Sequence, residues 1–191
     1  MLEEINDLIS KKEFDKAKEL LEPALKQEPA NIDLLKSAGL IAVNDEDWAK
    51  AKNYFETVIK FKSDDATSWF YLANAYDRLG DFISAKNAYI KVIDLRSSYT
   101  EAYKSLCVVL MKLNEPEEAI KYAITANTVE PDDYIFDFVI GTAYMKIKEF
   151  EKSIEPFKRA LEKDPNNIGT YKKRRGRCVQ SYKRNVFFAR R

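Results

Sequence analysis

Residues 69–89 read WFYLANAYDRLGDFISAKNAY. The first half of this stretch places Trp69, Leu72 and Tyr76 at the spacing of one helix face, with the small Ala73 between them. Large side chains on one face need a partner surface, and a small residue among them allows that partner to approach closely. The stretch therefore predicts a helix that packs against a second element.

The second half of the stretch supplies that element after a short break. Gly80 can adopt the left-handed backbone conformation that ends a helix, and the side chain of Asp81 can cap the next one. A second apolar face then follows at Ala85, Ala88, Tyr89 and Val92. We therefore predict two antiparallel helices.

Related spacings recur along the chain at an interval of 34 residues. From Leu72 the interval leads forward to Leu106 and Ile140. In the second half of each unit a small residue recurs, at Ala17, Ala51, Ala85, Ala119 and Ser153. Four residues later stand Leu21, Phe55, Tyr89, Ala123 and Phe157. Proline closes three of the units, at Pro29, Pro131 and Pro165.

This pattern, W-x2-L-[GA]-x2-Y followed by A-x3-[FY] and then P, resembles the tetratricopeptide repeat (TPR) family. The resemblance implies an all-α fold, an α-solenoid of helix-turn-helix repeats that form a right-handed superhelix. It covers an array of five repeats over residues 1–167. Their predicted bounds are about 1–31, 32–65, 66–99, 100–133 and 134–167.

The packing argument leads to the same architecture without the family. Two helices cannot bury both of their apolar faces on each other, so each unit completes its core on the next one. Ala73 and Ala85 are expected to be small because two helix axes approach there to about 8–10 Å.

Residues 168–191 differ in composition from the array. From Lys172 to Arg191 there are nine basic residues and no acidic one, which leaves 23 basic and 31 acidic residues, a net charge of −8, before Lys172. A basic C-terminal capping helix or tail is one interpretation, and a segment foreign to the repeats is another. A basic arm for nucleic acid and a nuclear-import signal in KKRRGR (172–177) also stay open.

The composition points to a cytoplasmic, helical protein. Five glycines and six prolines among 63 charged residues favour helices over a sheet-rich fold. No run of 18 apolar residues and no secretory leader pattern occurs. The two cysteines, Cys107 and Cys178, are too few for a disulfide framework.

Catalysis finds little support in the sequence. The chain has no histidine, which removes the commonest general base and zinc ligand, and it has no glycine-rich phosphate loop. Cys107 falls at a small-residue position and is expected to be core, and Cys178 lies among arginines. The acidic groups at residues 115–118 and 130–133 fall at predicted turns, where they would cap helices. We expect no enzyme activity, no cofactor and no metal site.

A binding surface remains as the candidate site. In TPR arrays the first helices line a concave groove, and the resemblance implies the same here. We call the predicted groove residues the inner stripe: Lys36, Leu40, Val43, Phe70, Asn74, Asp77, Lys104, Val108, Met111, Phe138, Thr142 and Met145.

The inner stripe indicates the kind of ligand. Chaperone-adaptor TPR domains grip a terminal carboxylate with Lys and Asn one turn apart, whereas here Leu40 follows Lys36 and Phe70 precedes Asn74. Exposed Phe70, Phe138, Met111 and Met145 are instead expected to bind apolar anchors of an extended or helical peptide. The alternative is that the aromatic rings only cover neighbouring helices.

The resulting interpretation is a non-enzymatic scaffold or adaptor that binds a protein or peptide partner in the groove. The alternative function is a nucleic-acid-associated protein that uses the basic arm. A membrane-associated assembly factor is a third, although no membrane span is predicted. The partner and the oligomeric state stay open.

Overall fold

The computed structural model describes residues 1–166, which form ten α-helices and no β-strand. The helices are α1 (Leu2–Ser10), α2 (Phe14–Gln27), α3 (Ile32–Asn44), α4 (Trp48–Phe61), α5 (Ala66–Leu79), α6 (Phe82–Leu95), α7 (Thr100–Lys112), α8 (Pro116–Val129), α9 (Tyr134–Lys146) and α10 (Phe150–Lys163). The predicted all-α fold is confirmed. The predicted basic capping helix or tail, residues 168–191 with Cys178, lies outside the described residues.

The chain divides into two compact units, Met1–Ser105 and Leu106–Arg191, with the boundary inside α7. In the first unit each helix from α1 to α5 packs on the next along the chain, and α1 and α5 also contact α3. In the described part of the second unit, α8 packs on α9 and α9 on α10. Within each unit, helix pairs therefore pack on one another in sequence order.

The first helices of the second to fifth pairs begin 34 residues apart, at Ile32, Ala66, Thr100 and Tyr134. The first helix of the chain is shorter than the others of its kind: α1 has nine residues, whereas α3 has 13. These starts coincide with the period read from the side chains.

The core follows the recurring small and large positions. The five small residues of the second helices, from Ala17 to Ser153, are all at most 5% exposed. The residues four positions later, four of them large, are also buried, with Phe55 and Tyr89 at 1% exposure. The close helix approach expected at Ala73 and Ala85 agrees with their complete burial.

The predicted break between α5 and α6 is confirmed in detail. Gly80 adopts φ of 85°, and the carboxylate of Asp81 accepts a hydrogen bond from the backbone N–H of Ser84 at 3.1 Å. The aromatic residues of α5 reach back to the preceding pair: Trp69 Nε1 donates to the Ser63 carbonyl, and Tyr76 donates to Glu56. These bonds fix α5 against the end and side of α4.

The predicted caps are confirmed only in part. Asp133 caps α9 by accepting from the N–H of Ile135 at 2.8 Å. Glu117 and Glu118 lie in the first turn of α8, where a negative charge complements the helix dipole. Glu115 stands at the N-cap position of α8, but its side chain makes no capping hydrogen bond. A glutamate is longer than the Asp and Asn residues that cap α3, α4, α5, α6 and α9, so its carboxylate does not fold back onto the first turn in the same way.

Candidate functional site

The inner stripe begins on α3 with Lys36, Leu40 and Val43, which are partly exposed. The ammonium of Lys36 is not open for a ligand, because it lies 2.5 Å from Oδ2 of Asp65. Asp65 is also the N-cap of α5, where its Oδ1 accepts from the backbone N–H groups of Thr67 and Ser68. The Lys36 side chain therefore ties α3 to the start of α5.

The electrostatics of this pair follow from its surroundings. Partial burial of Asp65 raises the pKa of its carboxyl, but the hydrogen bond from Lys36, together with those from Ser68, outweighs that effect and holds the pKa below its ordinary value of 3.8. Asp65 is thus an ionised partner of Lys36 at neutral pH. The arrangement differs from a carboxylate clamp, in which the lysine would face the ligand.

Phe70 belongs to an aromatic cluster, which we define as Phe70, Tyr71, Tyr89 and Tyr99. The Phe70 ring stacks on Tyr99 with a centroid distance of 4.9 Å, and it meets Tyr71 and Tyr89 edge-on at 5.8 and 6.0 Å. Tyr71 in turn stacks on Phe55 at 5.3 Å. Aromatic pairs in these geometries contribute about 0.5–1.5 kcal/mol beyond their buried area.

The polar residues of the inner stripe in the first unit are also engaged. The hydroxyl of Tyr89 donates to Oδ1 of Asn74 at 2.5 Å, and desolvation raises the pKa of that hydroxyl. Lys104 Nζ lies 3.6 Å from a carboxylate oxygen of Glu101. Asp77 is partly buried on the next turn of α5 after Asn74. The first unit thus presents its polar groups already oriented by intramolecular contacts.

In the second unit the inner stripe is more apolar. Val108 is 47% exposed, whereas Met111, Phe138, Thr142 and Met145 are partly buried. The Phe138 ring lies edge-on to Phe157 at 5.7 Å. The Thr142 hydroxyl donates to the Phe138 carbonyl at 2.8 Å, so it supports the helix itself.

Phe70, Phe138, Met111 and Met145, which the sequence led us to expect as exposed, are partly exposed and partly buried. The two rings pack on aromatic residues of the same unit, and their role as anchors for a ligand stays a prediction. Sequence analysis missed Tyr71 and Tyr99, which complete the cluster around Phe70. The signal was present, because four aromatic residues stand at 69–71 and 76.

The groups considered for chemistry are structural in the described part of the chain. Cys107 is completely buried, as predicted, and desolvation raises the pKa of its thiol to about 12. A nucleophilic thiol needs the opposite shift. Within residues 1–166 no three His, Cys, Asp or Glu side chains are grouped so that they could hold a metal ion. Over the same range, no helix combines the length and the apolar character that crossing a bilayer requires.

Comparison with known families identifies the repeat. The sequence profile described as Tetratricopeptide repeat matches residues 36–92 and 108–168. The chain belongs to the tetratricopeptide repeat family. The family and its fold are generally non-enzymatic scaffolds for protein interaction, and the family prediction made from the 34-residue period is confirmed.

Curated relatives share the repeat at low identity. The chain is 26% identical over 152 residues to Protein FlbA of Caulobacter vibrioides, which covers 75% of this chain and 26% of FlbA. It is 21% identical over 174 residues to Stress-induced-phosphoprotein 1 of Caenorhabditis elegans, covering 88% of this chain and 52% of that protein. The chain thus spans only about a quarter to a half of the length of these two relatives.

Solved structures agree with the fold. A crystal structure of MamA superposes with a TM-score of 0.79 at 22% identity, covering 86% of this chain and 96% of MamA. YrrB, described as a TPR protein with an unusual peptide-binding site, superposes with a TM-score of 0.79 at 20% identity, covering 86% of this chain and 84% of YrrB. At these identities the likeness concerns the α-solenoid fold.

Proposed function

We propose that this protein is a non-enzymatic interaction scaffold or adaptor whose inner stripe binds a peptide or helix of a partner protein. One observation carries the proposal. On α3 the residues Leu34, Leu35 and Ala38 are buried in the core, while Lys36 and Leu40 beside them stay partly accessible. α3 thus combines a core face with a second, partly accessible face, and this supports the proposal.

The chemistry of this second face suits a peptide with both polar and apolar side chains. Val108 offers exposed apolar surface, and the edges of Phe70 and Phe138 add partly accessible rings. Groove recognition of a helix or an extended segment uses such scattered apolar anchors. Because the rings and polar groups are already fixed by intramolecular contacts, binding would cost little ordering of the receptor.

The comparisons support a binding role in general terms. YrrB has an unusual peptide-binding site, and the present chain shares its fold. We place the protein in the cytoplasm, where its reduced Cys107 needs no partner. The groove assignment for the twelve residues of the inner stripe remains part of this proposal.

Affinity capture with two matched variants tests the proposal. The first variant, Val108→Arg with Thr142→Arg, places cations on the inner stripe of α7 and α9. The second, Ile83→Arg with Ile124→Arg, places the same charges on α6 and α8, where the side chains are 65% and 51% exposed. Both are expected to keep the helix content of the wild type.

Partners captured from lysate of the native organism are compared by quantitative mass spectrometry. We expect the inner-stripe variant to lose the partners that the wild type and the α6/α8 variant both retain. Equal loss in the two variants, or no loss in the first, would remove the inner stripe as the binding surface.

A further inference from the structure

A buried carboxylate joins three helices of the second unit. Asp137 lies on α9 and is completely buried. Its Oδ1 accepts from Nε and Nη2 of Arg159 at 2.9 and 2.8 Å, and its Oδ2 lies 2.6 Å from Nζ of Lys163. Both cations belong to α10. The side chains of Arg159 and Lys163 are 42% and 20% exposed, so the charges converge on Asp137 from the protein surface.

Asn127 extends this arrangement to α8. Its Oδ1 accepts from Lys163 Nζ at 3.0 Å, and its Nδ2 lies 3.5 Å from Oδ1 of Asp137. We call these four residues, Asn127, Asp137, Arg159 and Lys163, the Asp137 cluster. Asn127 is the member that comes from the preceding helix pair, so it joins that pair to the α9–α10 pair.

The cluster replaces apolar residues of the other repeats. At the 34-residue interval, the position of Asp137 is filled by Leu35, Trp69 and Tyr103. The position of Asn127 is filled by Leu25, Ile59 and Ile93. In the first unit these residues are apolar packing: Leu25 lies against one core cluster, Ile59 and Trp69 against the next, and Tyr103 is 2% exposed.

The position of Lys163 is filled by the apolar residues Phe61, Leu95 and Val129 in the second to fourth repeats and by Gln27 in the first. Phe61 and Val129 are exposed there, at 64% and 41%, so at this position only the residue type changes. Asn127, Asp137 and Lys163 are therefore polar where α8 meets the α9–α10 pair. The equivalent residues where earlier helix pairs follow one another are apolar. The signal is readable in the sequence, because Asp137 occupies the first large apolar position of the repeat.

Repeats whose apolar surfaces are alike can pair incorrectly. A helix pair can dock on the wrong neighbour, or on the equivalent neighbour of a second chain, with nearly the same apolar contacts. A buried polar group changes this, because it is satisfied only opposite its own partner. A single buried polar residue sets register in coiled coils in this way.

We propose that the Asp137 cluster is a pairing key, which makes the second helix of the fourth pair, α8, and the α9–α10 pair specific for each other. Docked on a helix such as α6, the α9–α10 pair would bring Lys163 and Asp137 against Ile93 and lose the amide of Asn127. Docked on α8, an apolar pair would leave the partly buried amide of Asn127 without its protein partners. The Asp137 cluster therefore disfavours both incorrect pairings, and it does so in place of apolar residues that would complete the core.

Exchange of helix pairs between full-length chains tests the key. A grafted variant carries the residues that meet where the first repeat contacts the second, Leu25, Leu35, Thr57 and Phe61, in place of the cluster: Asn127→Leu, Asp137→Leu, Arg159→Thr and Lys163→Phe. A control variant, Lys121→Leu with Glu151→Leu, adds apolar surface on α8 and α10 away from the cluster. Each protein is prepared with two different affinity tags, and the two forms are unfolded together in urea and refolded by dilution.

Sequential capture on both tags measures the exchanged species at equal protein concentration. We expect the grafted variant to keep its helix content and to form about tenfold more exchanged species than the wild type, the ratio for a loss of about 1.4 kcal/mol in discrimination. The control variant should match the wild type. Equal exchange in the grafted variant and the wild type, or an equal rise in the control, would overturn the proposal.

Asn127→Leu alone provides the test if the grafted chain loses helix content. This variant keeps the contacts of Asp137 with Arg159 and Lys163 and removes only the polar link to α8. The proposal requires more exchange than in the wild type, because the discrimination between α8 and the other second helices resides in Asn127. No increase would show that the cluster is internal to the α9–α10 pair.

Discussion

A β-carbon placed on Gly141 would lie 2.8 Å from Cε1 of Phe157, and 2.9 Å from Cδ1 and Cγ of the same ring. Because Gly141 on α9 has no side chain, the ring of Phe157 on α10 occupies the space beside it. We expect Gly141→Ala to destabilise the protein by about 1–2 kcal/mol, since overpacking of about 1–3 kcal/mol is offset in part by the better helix propensity of alanine. Urea unfolding followed by circular dichroism measures the change.

Gly39 is the matched comparison in the first unit. A β-carbon there would meet Phe55 at Cζ, 2.7 Å away, which is the far end of the ring. That end can move more easily than the flank of Phe157, so Gly39→Ala should be less destabilising than Gly141→Ala. The double variant Gly141→Ala with Phe157→Leu should be less destabilised than the sum of its single changes. Additive effects would contradict the contact as the cause.

A second prediction concerns the turn inside each helix pair. Lys12, Glu46, Asn114 and Lys148 have φ between 56° and 66°, and Gly80 stands at the same repeat position with φ of 85°. A non-glycine residue in this conformation costs about 1–2 kcal/mol, against about 0.5–1 kcal/mol for the flexibility of glycine in the unfolded chain. We expect Glu46→Gly to raise the free energy of unfolding by up to about 1 kcal/mol.

Gly80→Ala gives the reverse test. An added β-carbon at Gly80 meets no atom within 4 Å, so any loss of stability, expected to be about 1 kcal/mol, reports the backbone alone. Asn114→Gly should gain less than Glu46→Gly because asparagine tolerates the left-handed region. Equal gains at both positions would argue against backbone strain.

Much of the fold could be predicted because side-chain size repeats with the helix pairs. The break at Gly80 and Asp81, the buried Ala85 and the core position of Cys107 all follow from local spacing. A period fixes which residues face a neighbour, and apolar packing tolerates variation at each position. For this reason five imperfect copies still indicate one architecture.

The inner stripe was harder to predict, because exposure there depends on contacts between residues distant in the chain. Phe70 is half-buried in part because Tyr99, 29 residues later, stacks on it. Lys36 is held by Asp65 across a similar separation. Asp137 departs from the apolar pattern, and its buried negative charge is balanced by Arg159 and Lys163 on the following helix. Such pairings are set by three-dimensional packing, which a periodic pattern does not specify.

A third prediction concerns the link between α3 and α5. Asp65→Ala removes both the N-cap of α5 and the partner of Lys36, so we expect a loss of about 1–2 kcal/mol in the free energy of unfolding at pH 7. Asp65→Asn keeps an acceptor for the cap but not the charge, and it should lose less. Equal losses in the two variants would show that the capping bonds contribute nothing.

The same carboxylate should make stability pH-dependent in acid. Its pKa in the folded state lies below the ordinary value of 3.8, because the bonds from Lys36 and Ser68 outweigh burial. The stabilisation is therefore present above pH 3.8 and is lost as the pH falls through the folded-state pKa. The difference in unfolding free energy between the wild type and Asp65→Asn should shrink below that pH. A difference that stays constant from pH 6 to pH 2.5 would contradict this.

The last prediction concerns the buried thiol of Cys107 in alkaline solution. Desolvation raises its pKa from 9.0 to about 12, so the folded state keeps the proton where the unfolded state loses it. Below pH 9 both states are protonated and the thiol adds no pH dependence. Above pH 9 the unfolded state is favoured by about 1.4 kcal/mol per pH unit until the folded pKa is reached. The comparison uses proteins with Cys107 and with Cys107→Ala, both in a Cys178→Ser background, so that the titrations of lysine and tyrosine cancel. The difference in their unfolding free energies should be constant from pH 7 to 8.5. At higher pH the protein with Cys107 should lose stability relative to Cys107→Ala. Urea unfolding at half-unit pH steps measures it, and parallel stability curves up to pH 11 would contradict the burial of the thiol.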